Sequence, residues 1–302
     1  MRIACLGGGP AGLYFAIAMK LRDPAHEIVV VERNRAQDTF GWGVVLSDET
    51  LANLHVVDAQ SCEAIHRAFA YWDDIAVHYR GSITRSSGHG FCGIGRRRLL
   101  NILQDRARSL GITLAFETEI EGVEAYGSCD LIVAADGANS KVRGGLARHF
   151  KPAIDVRACK YIWLGTKQRF DDAFTFIFKQ SEHGWIWAHA YQFDADTATF
   201  IIECAEDTWR RFGFAAMPPQ ETTARCQEIF ADILGGHPLI VSSPQLRGSA
   251  WLNFQRVLCQ TWSHENIVLI GDAAATAHFS VGSGTKLALE SAIALANYLS
   301  SE

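Results

Sequence analysis

The sequence predicts an α/β fold, a Rossmann-like dinucleotide-binding domain that is discontinuous along the chain, with an antiparallel-sheet domain inserted into it. Three observations carry this expectation. The chain opens as strand, glycine turn and helix, with Gly7, Gly9 and Gly12 at G-x-G-x-x-G spacing. From about residue 155 to 205 the hydrophobic period changes: Trp163, Phe174, Phe176, Phe178, Trp185, Trp187, Tyr191 and Phe200 fall in short alternating runs that suit antiparallel strands. Near the end, residues 266–270 return as a buried strand closed by Gly271-Asp272, which brings the chain back to the first domain.

Residues 2–6 read as a buried strand, and residues 13–21 supply a helix with an apolar stripe. In the turn between them, Leu6-Gly7-Gly8-Gly9-Pro10-Ala11-Gly12, the first two motif glycines permit a tight bend and close backbone approach to a pyrophosphate. The third lets the helix pack on the strand, and the helix N-terminus offers free N–H groups to phosphate oxygens. A second strand, residues 27–31, ends in Glu32 and Arg33. A carboxylate there suits a ribose hydroxyl, so FAD or NAD fits better than a 2'-phosphorylated cofactor.

Residues 40–46 form a glycine-interrupted apolar stretch containing Gly43 and Val44, followed by helical patterns over 48–57 and 59–70. A helix starts with Arg96-Arg97-Arg98 and keeps Leu99, Ile102, Leu103 and Leu110 at helical spacing. Residues 130–135 read as a further parallel strand ending at Asp136-Gly137. Helical patterns return over 205–212 and 220–234, and a last helix runs from Gly284 to Leu299. The expected dinucleotide domain is 1–70, 90–152 and 262–302, and the expected substrate domain is 71–89 and 153–261. With 7 prolines and no linker, the two should pack as one unit.

Composition excludes several classes. With 302 residues, 48% hydrophobic and 20% charged, the chain can bury a sizeable core. A net charge of -5 with no long basic run argues against nucleic acid. The eight cysteines are scattered without C-x-x-C or metal-ligand spacing, which reads as reduced thiols in a cytoplasmic protein with no metal. No signal peptide is legible, and residues 287–299 are too short to span a bilayer, so no membrane partner is expected.

Three separated segments together resemble one family, the group A single-component FAD-dependent aromatic hydroxylases. They are the glycine turn with Glu32, the D-G-x-x-S-x-x-R stretch from Asp136-Gly137 through Ser140 to Arg143, and Gly271-Asp272-Ala273-Ala274 followed by Gly282, Gly284 and Thr285. The resemblance implies the glutathione-reductase-like fold of p-hydroxybenzoate-hydroxylase type, with FAD as cofactor and NAD(P)H as reductant. It implies cofactor contacts at Gly7, Gly9, Pro10, Ala11, Gly12, Glu32, Arg33, Gly43, Val44, Arg96, Asp136, Gly137, Gly271, Asp272, Gly282, Gly284 and Thr285. Asp272 suits a ribityl hydroxyl, and the N-terminus of the last helix suits the flavin's N1 and C2 carbonyl, where its dipole would stabilise an anionic reduced ring. Arg97 and Arg98, each turned about 100° from its neighbour, point away.

A narrower resemblance rests on residues 40–47, 160–165, 172–176, 183–185, 188–191 and 278–290. These stretches look like the subfamily of the salicylyl-CoA 5-hydroxylases and the flavin half of 2-aminobenzoyl-CoA monooxygenase/reductase. A violacein-pathway hydroxylase of a tryptophan derivative shares several of them. The resemblance implies oxygen transfer from a flavin C4a-hydroperoxide to C5 of a 2-hydroxy- or 2-aminobenzoyl-CoA ring, with molecular oxygen as co-substrate. An indole-type substrate is the alternative, and a homodimer is left open. The ring donor activates the para carbon against the electron-withdrawing thioester. The protein's tasks are to orient the ring, exclude water and stabilise charge.

Trp185, Trp187, His189 and Tyr191 alternate and share one strand face, so they either line the pocket or form the sheet core. His278, with Phe279, either accepts a substrate proton or fixes its own loop. His278, His189 and Tyr191 are thus the candidate catalytic residues. Arg80, Arg85, Arg97, Arg98 and Arg148 are unranked candidates for a CoA tail. Two features depart from the family pattern. Ala275 stands where a histidine is common, and the sequence ends at Glu302 where family members continue. The second leaves a non-catalytic FAD-binding fragment as a reading of another class.

Overall fold

The computed structural model of the chain describes residues 1–39, 41–170, 172–241 and 251–300. In chain order its elements begin with β1 (Arg2–Leu6), α1 (Pro10–Arg22), β2 (Glu27–Val31), β3 (Gly43–Ser47), α2 (Asp48–Val57) and α3 (Ala59–His66). There follow β4 (Ala70–Trp72), β5 (Asp74–Tyr79), β6 (Ser82–Ser86), β7 (Phe91–Gly95), α4 (Arg96–Ser109), β8 (Thr113–Ala115) and β9 (Leu131–Ala134). Then come α5 (Lys141–Gly145), α6 (Ala147–Phe150), β10 (Pro152–Thr166), β11 (Ala173–Ser181), β12 (Gly184–Gln192) and β13 (Ala198–Cys204). The last are α7 (Glu206–Arg211), α8 (Pro219–Ile229), α9 (Ala231–Leu234), β14 (Leu239–Val241), β15 (Leu252–Cys259), β16 (Ser263–His264), β17 (Ile267–Leu269) and α10 (Ser283–Leu299).

The first sheet has the order β16-β17-β9-β1-β2-β8, parallel from β17 to β8. Its central strands are buried on both faces, so β1 is apolar after the exposed Arg2 yet still sorts its side chains with period two. Ile3 and Cys5 face the core shared with α1, α4 and α10, whereas Ala4 and Leu6 face the core of Val142, Phe150 and Leu269. Helix α1 is buried along Pro10–Met19 because α4 and α10 pack against it and the sheet lies behind. The short sheet β3-β7-β4 lies beside this layer.

The second sheet has the order β14-β10-β13-β12-β11-β5-β6, with β15 paired to β10. It is antiparallel except between β11 and β5, which run parallel because β5 enters from the N-terminal half of the chain. The registers align three rows across β10, β13 and β12: Tyr161, Glu203 and Trp187; Trp163, Ile201 and His189; Gly165, Thr199 and Tyr191. These rows form one face. The other carries Ile162, Leu164, Ile186, Ala188, Ala190, Phe200, Ile202 and Cys204, packed under Phe212, Phe214, Phe230 and Leu234 from the α7–α9 segment. The hydrophobic core of this region is therefore the aliphatic face, and each of its fully buried phenylalanines contributes about 2–3 kcal/mol.

Two expected helices differ from the sequence pattern. The one over 59–70 stops at His66, because Ala70–Trp72 is taken up as a strand against β7. The one over 220–234 breaks at Phe230 (φ -107°, ψ 17°), whose ring is thereby fully buried under the sheet. Phe40 of the 40–47 stretch lies outside the described residues. Among the described residues no helix is long and apolar enough to cross a membrane, and no group of three or more His, Cys, Asp or Glu could hold a metal ion.

Candidate active site

Two cavities share Arg96 and Asn139 in their walls; the larger lies between the sheets and the smaller at the ends of β1, β2 and β9. The smaller, about 170 Å³, is lined by Gly7, Gly9, Glu32, Arg33, Asp136 and Gly137. Gly7 adopts φ +118°, and a Cβ there would lie 2.2 Å from the Ala135 carbonyl oxygen. A Cβ on Gly12 would lie 2.1 Å from the Gly7 oxygen, so this glycine and the neighbouring Ala11, whose methyl faces Gly271, serve packing. Gly9 has no atom within 4 Å of such a Cβ, which leaves its backbone open to a ligand at the helix N-terminus. Glu32 Oε2 accepts from the Gly8 amide at 2.8 Å and Oε1 from the Asn34 amide at 2.9 Å, so the β2 carboxylate also holds the glycine turn.

Asp136 Oδ2 accepts from the Lys141 amide at 2.8 Å and the Val142 amide at 3.3 Å, which ties it to the start of α5. Its Oδ1 is buried with no partner among the described residues, at the wall of the small cavity. Ser140 caps α5 by accepting from the Arg143 amide at 2.9 Å. Arg143 itself is buried and donates to the carbonyls of Ala138 (2.5 Å) and Ala273 (3.0 Å). The D-G-x-x-S-x-x-R stretch and the Gly271-Asp272 turn are therefore stitched together by one guanidinium.

The larger cavity, about 630 Å³, falls within the usual range for small-molecule sites. Of the residues expected to contact the cofactor, Pro10, Gly43, Val44, Arg96, Asp272, Gly282, Gly284 and Thr285 line one side of it. Burial lowers the pKa of Arg96, opposed by the nearby Asp272 and Tyr191. Asp272 is enclosed by protein but keeps its carboxylate open to the cavity; lost hydration raises its pKa and Arg96 opposes the rise. Gly282 (φ +67°) lies against Val45, and a Cβ on Gly284 would meet nothing within 4 Å, so the start of α10 is bare toward the cavity. Gly271 lies behind this wall, against α1. Open glycines at two helix starts, the unpartnered Asp136 Oδ1 and the cation shared by both cavities all fit an extended dinucleotide such as FAD.

The opposite wall is the aromatic face of the second sheet: Tyr161, Trp163, Tyr191 and Ile201, with Phe254 from β15 and Phe279 from the loop before α10. Of the alternating residues on β12, only Tyr191 lines the cavity. Its hydroxyl donates to the Gly43 carbonyl at 2.8 Å, and its ring stacks on Trp72 and Phe174. Burial pushes its phenol pKa well up, and the bond to Gly43 ties the ring into the wall of the cavity. The Gly43 amide in turn donates to Thr199 Oγ1 at 3.0 Å, and Phe193 leaves no space for a Cβ there. Trp185 stacks on Tyr79, away from the cavity, and Trp187 donates to Glu203 at 3.1 Å.

His189 and His278 are not among the residues lining the two cavities; both lie beside Glu203. His189 is buried and its pKa is pushed down to about 4, chiefly by desolvation and then by His278. It lies 3.8 Å from Glu203, whose other oxygen is 3.5 Å from His278 Nε2. His278 accepts from the Ser280 amide at 3.3 Å through Nδ1, and its ring stacks on Phe279. None of Arg80, Arg85, Arg97, Arg98 and Arg148 lines the larger cavity.

Sequence reasoning passed over Asn139, Tyr161, Trp163, Phe254 and Glu203. Asn139 sat inside a quoted motif, and Tyr161 and Trp163 alternate toward the face of Tyr191, a signal visible only once strand register is known.

A sequence profile described as the FAD binding domain matches residues 1–302. The chain is 41% identical, over 307 aligned residues, to the salicyloyl-CoA 5-hydroxylase of a Streptomyces species, covering 99% of this chain and 58% of that protein. It is 36% identical to the protodeoxyviolaceinate monooxygenase of Chromobacterium violaceum, covering 100% of this chain and 80% of that one. It is 35% identical to the 3-hydroxy-4-methyl-anthranilyl-[aryl-carrier protein] 5-monooxygenase of Streptosporangium sibiricum, covering 99% and 79%. Among solved structures, a variant of 2-methyl-3-hydroxypyridine-5-carboxylic acid oxygenase superposes with a TM-score of 0.81 at 19% identity, covering 99% of this chain and 82% of that one.

Proposed function

Since the chain belongs to the FAD-dependent aromatic hydroxylases of the FAD-binding domain family, we propose that it is the monooxygenase part of an enzyme hydroxylating a 2-hydroxy- or 2-aminobenzoyl thioester at C5 in the cytoplasm. One NAD(P)H, one dioxygen and one proton are consumed; one oxygen atom enters the ring and the other leaves as water. The observation that carries this reading is the larger cavity itself, aromatic on one side and bare backbone with Arg96 on the other. Two of the relatives are named for position 5 of a benzoyl-type group carried on CoA or a carrier protein, which favours a thioester.

Bound FAD, once reduced, supplies the activated oxygen. The chain's own residues do the rest. Trp163, Tyr161, Phe254 and Phe279 present faces and edges that hold a planar ring and keep water out. Arg96 and the amides at the start of α10 face the side where negative charge develops, in surroundings poor in water where such interactions are strongest. Gly43, held by Tyr191 and Thr199, sets the spacing between the two walls.

Purified protein is expected to be yellow and to release FAD on denaturation. With NAD(P)H, oxygen and 2-hydroxybenzoyl-CoA or 2-aminobenzoyl-CoA it should yield a thioester heavier by one oxygen atom. Turnover of an indole substrate with none on either thioester would move the reading to the violacein-type chemistry. Colourless protein that cannot be reconstituted would leave an FAD-fold fragment without this activity.

A further inference from the structure

Glu203 is a buried carboxyl that none of the steps above uses. It sits on β13, 4% exposed, in the row Tyr161-Glu203-Trp187 at the edge of the aromatic face. Every strand around it contributes a polar group: Trp187 and His189 from β12, Cys159 and Tyr161 from β10, and His278 from the loop before α10. Arg157 acts on His278 from the far side and is itself paired with Asp155 at 3.1 Å.

The proton positions follow from the donors. A backbone amide can only donate, so the 3.3 Å contact from the Ser280 amide requires a lone pair on His278 Nδ1. The proton of the neutral ring is then on Nε2, which faces Glu203 Oε1 at 3.5 Å. His189, with its pKa near 4, stays neutral at ordinary pH and leaves the exchange of protons to Glu203 and His278. His278 is the accessible member, with its side chain 36% exposed against 6% for Glu203.

We propose that Glu203 is a positioning residue of the hydroxylation site, acting through His278 to fix the 278–282 loop, and with it the start of α10, over the larger cavity. The proposal rests on the reading of that cavity as the flavin and ring site. Through it the sheet that walls the substrate side is tied to the loop that walls the cofactor side: Phe279, Gly282, Gly284 and Thr285 all line the cavity within seven residues of His278. The tie is sensitive to protons. When His278 takes up a second proton, Nδ1 no longer accepts from the Ser280 amide and can only donate, to the adjacent Ser280 Oγ, so the bond that caps the 3₁₀ turn over Phe279–Val281 is exchanged for a side-chain one. An ionised Glu203 stabilises that imidazolium, and desolvation, which pushes the Glu203 pKa up, works against the ionised form.

The test follows the His278 ring by NMR in the full chain, without and with FAD, assigning its signal with His278→Asn. In Glu203→Gln, which keeps an acceptor for Trp187 but removes the charge, the His278 midpoint should fall by about one pH unit. The acid limb of coupling, product formed per NAD(P)H oxidised, should move to lower pH with it. In Glu203→Leu, FAD should still bind, its visible spectrum should change, and coupling should fall about tenfold at neutral pH. An unchanged His278 midpoint in Glu203→Gln, or an unaltered flavin spectrum and coupling in Glu203→Leu, overturns the proposal. A chain that binds no FAD while His278 still shifts would refute the reading of the cavity and leave the Glu203–His278 tie standing.

Discussion

The two cavities are built on different principles. The smaller is built largely on backbone: Gly7, Gly9 and Gly137 bring main-chain atoms to its wall, and side chains such as Glu32 and Arg143 hold that backbone in place. The larger has one such backbone side and faces it with side chains from β10, β12, β13 and β15, brought together by strand register across distant parts of the sequence. A backbone site tolerates almost no change at its closest approaches. A side-chain site tolerates change in proportion to how much else each side chain holds.

The largest effect should come at the glycine turn. Gly7→Ala places a methyl against the Ala135 carbonyl at a positive φ, and Gly12→Ala drives one into the Gly7 oxygen. Each should cost on the order of 4 kcal/mol and abolish bound FAD, read by thermal melting and flavin content per chain. Gly9→Ala should leave the melting temperature nearly unchanged and weaken FAD binding alone. Equal destabilisation at all three positions would break the distinction between packing and ligand glycines.

A smaller effect is expected on the aromatic face as pH falls. The pKa of His189 is held near 4 in the folded chain against an ordinary value of about 6.5 when unfolded. The unfolded chain then takes up a proton that the folded chain refuses. Stability is complete above about pH 6.5 and falls by on the order of 3 kcal/mol as pH drops toward 4. Denaturant unfolding of His189→Phe should show a flatter acid slope than the parent chain. Parallel slopes would mean that His189 is protonated in place.

The smallest effect belongs to Tyr191→Phe. The ring keeps its stacking on Trp72 and Phe174 and loses the hydroxyl with its bond to the Gly43 carbonyl and its contact with Thr199, a loss of about 1 kcal/mol. Product yield per NAD(P)H should decline while FAD affinity holds. A large fall in FAD affinity would show that Gly43 belongs to the backbone site more than to the side-chain one.

The same contrast explains what was legible in the sequence. The glycine turn, β2 with Glu32, β9 with Asp136 and the return through Gly271-Asp272 could be read because spacing alone dictates backbone geometry. The ring-facing wall could not. The alternation Trp185, Trp187, His189, Tyr191 gave the shared face correctly, but only the pairing of β12 with β13 and β10 decides that Tyr191 meets the cavity while Trp187 and His189 meet Glu203. Glu203 left no trace in a local pattern, since a single acid in an apolar strand ordinarily marks an edge or a turn. Arg143 was legible as a motif member, but its partner at Ala273, 130 residues away, was not.

The second sheet has two faces with separate duties. Its larger buried cluster is the aliphatic layer that includes Phe200 and packs under Phe214 and Phe230, none of which lines the larger cavity. The aromatic layer on the reverse has a smaller core of its own around Trp72, Phe174 and Tyr191, and a change elsewhere on it reaches the cavity before it reaches the aliphatic layer. One sheet in this way lets the wall of a cavity vary while most of the packing that holds the sheet lies on its other side.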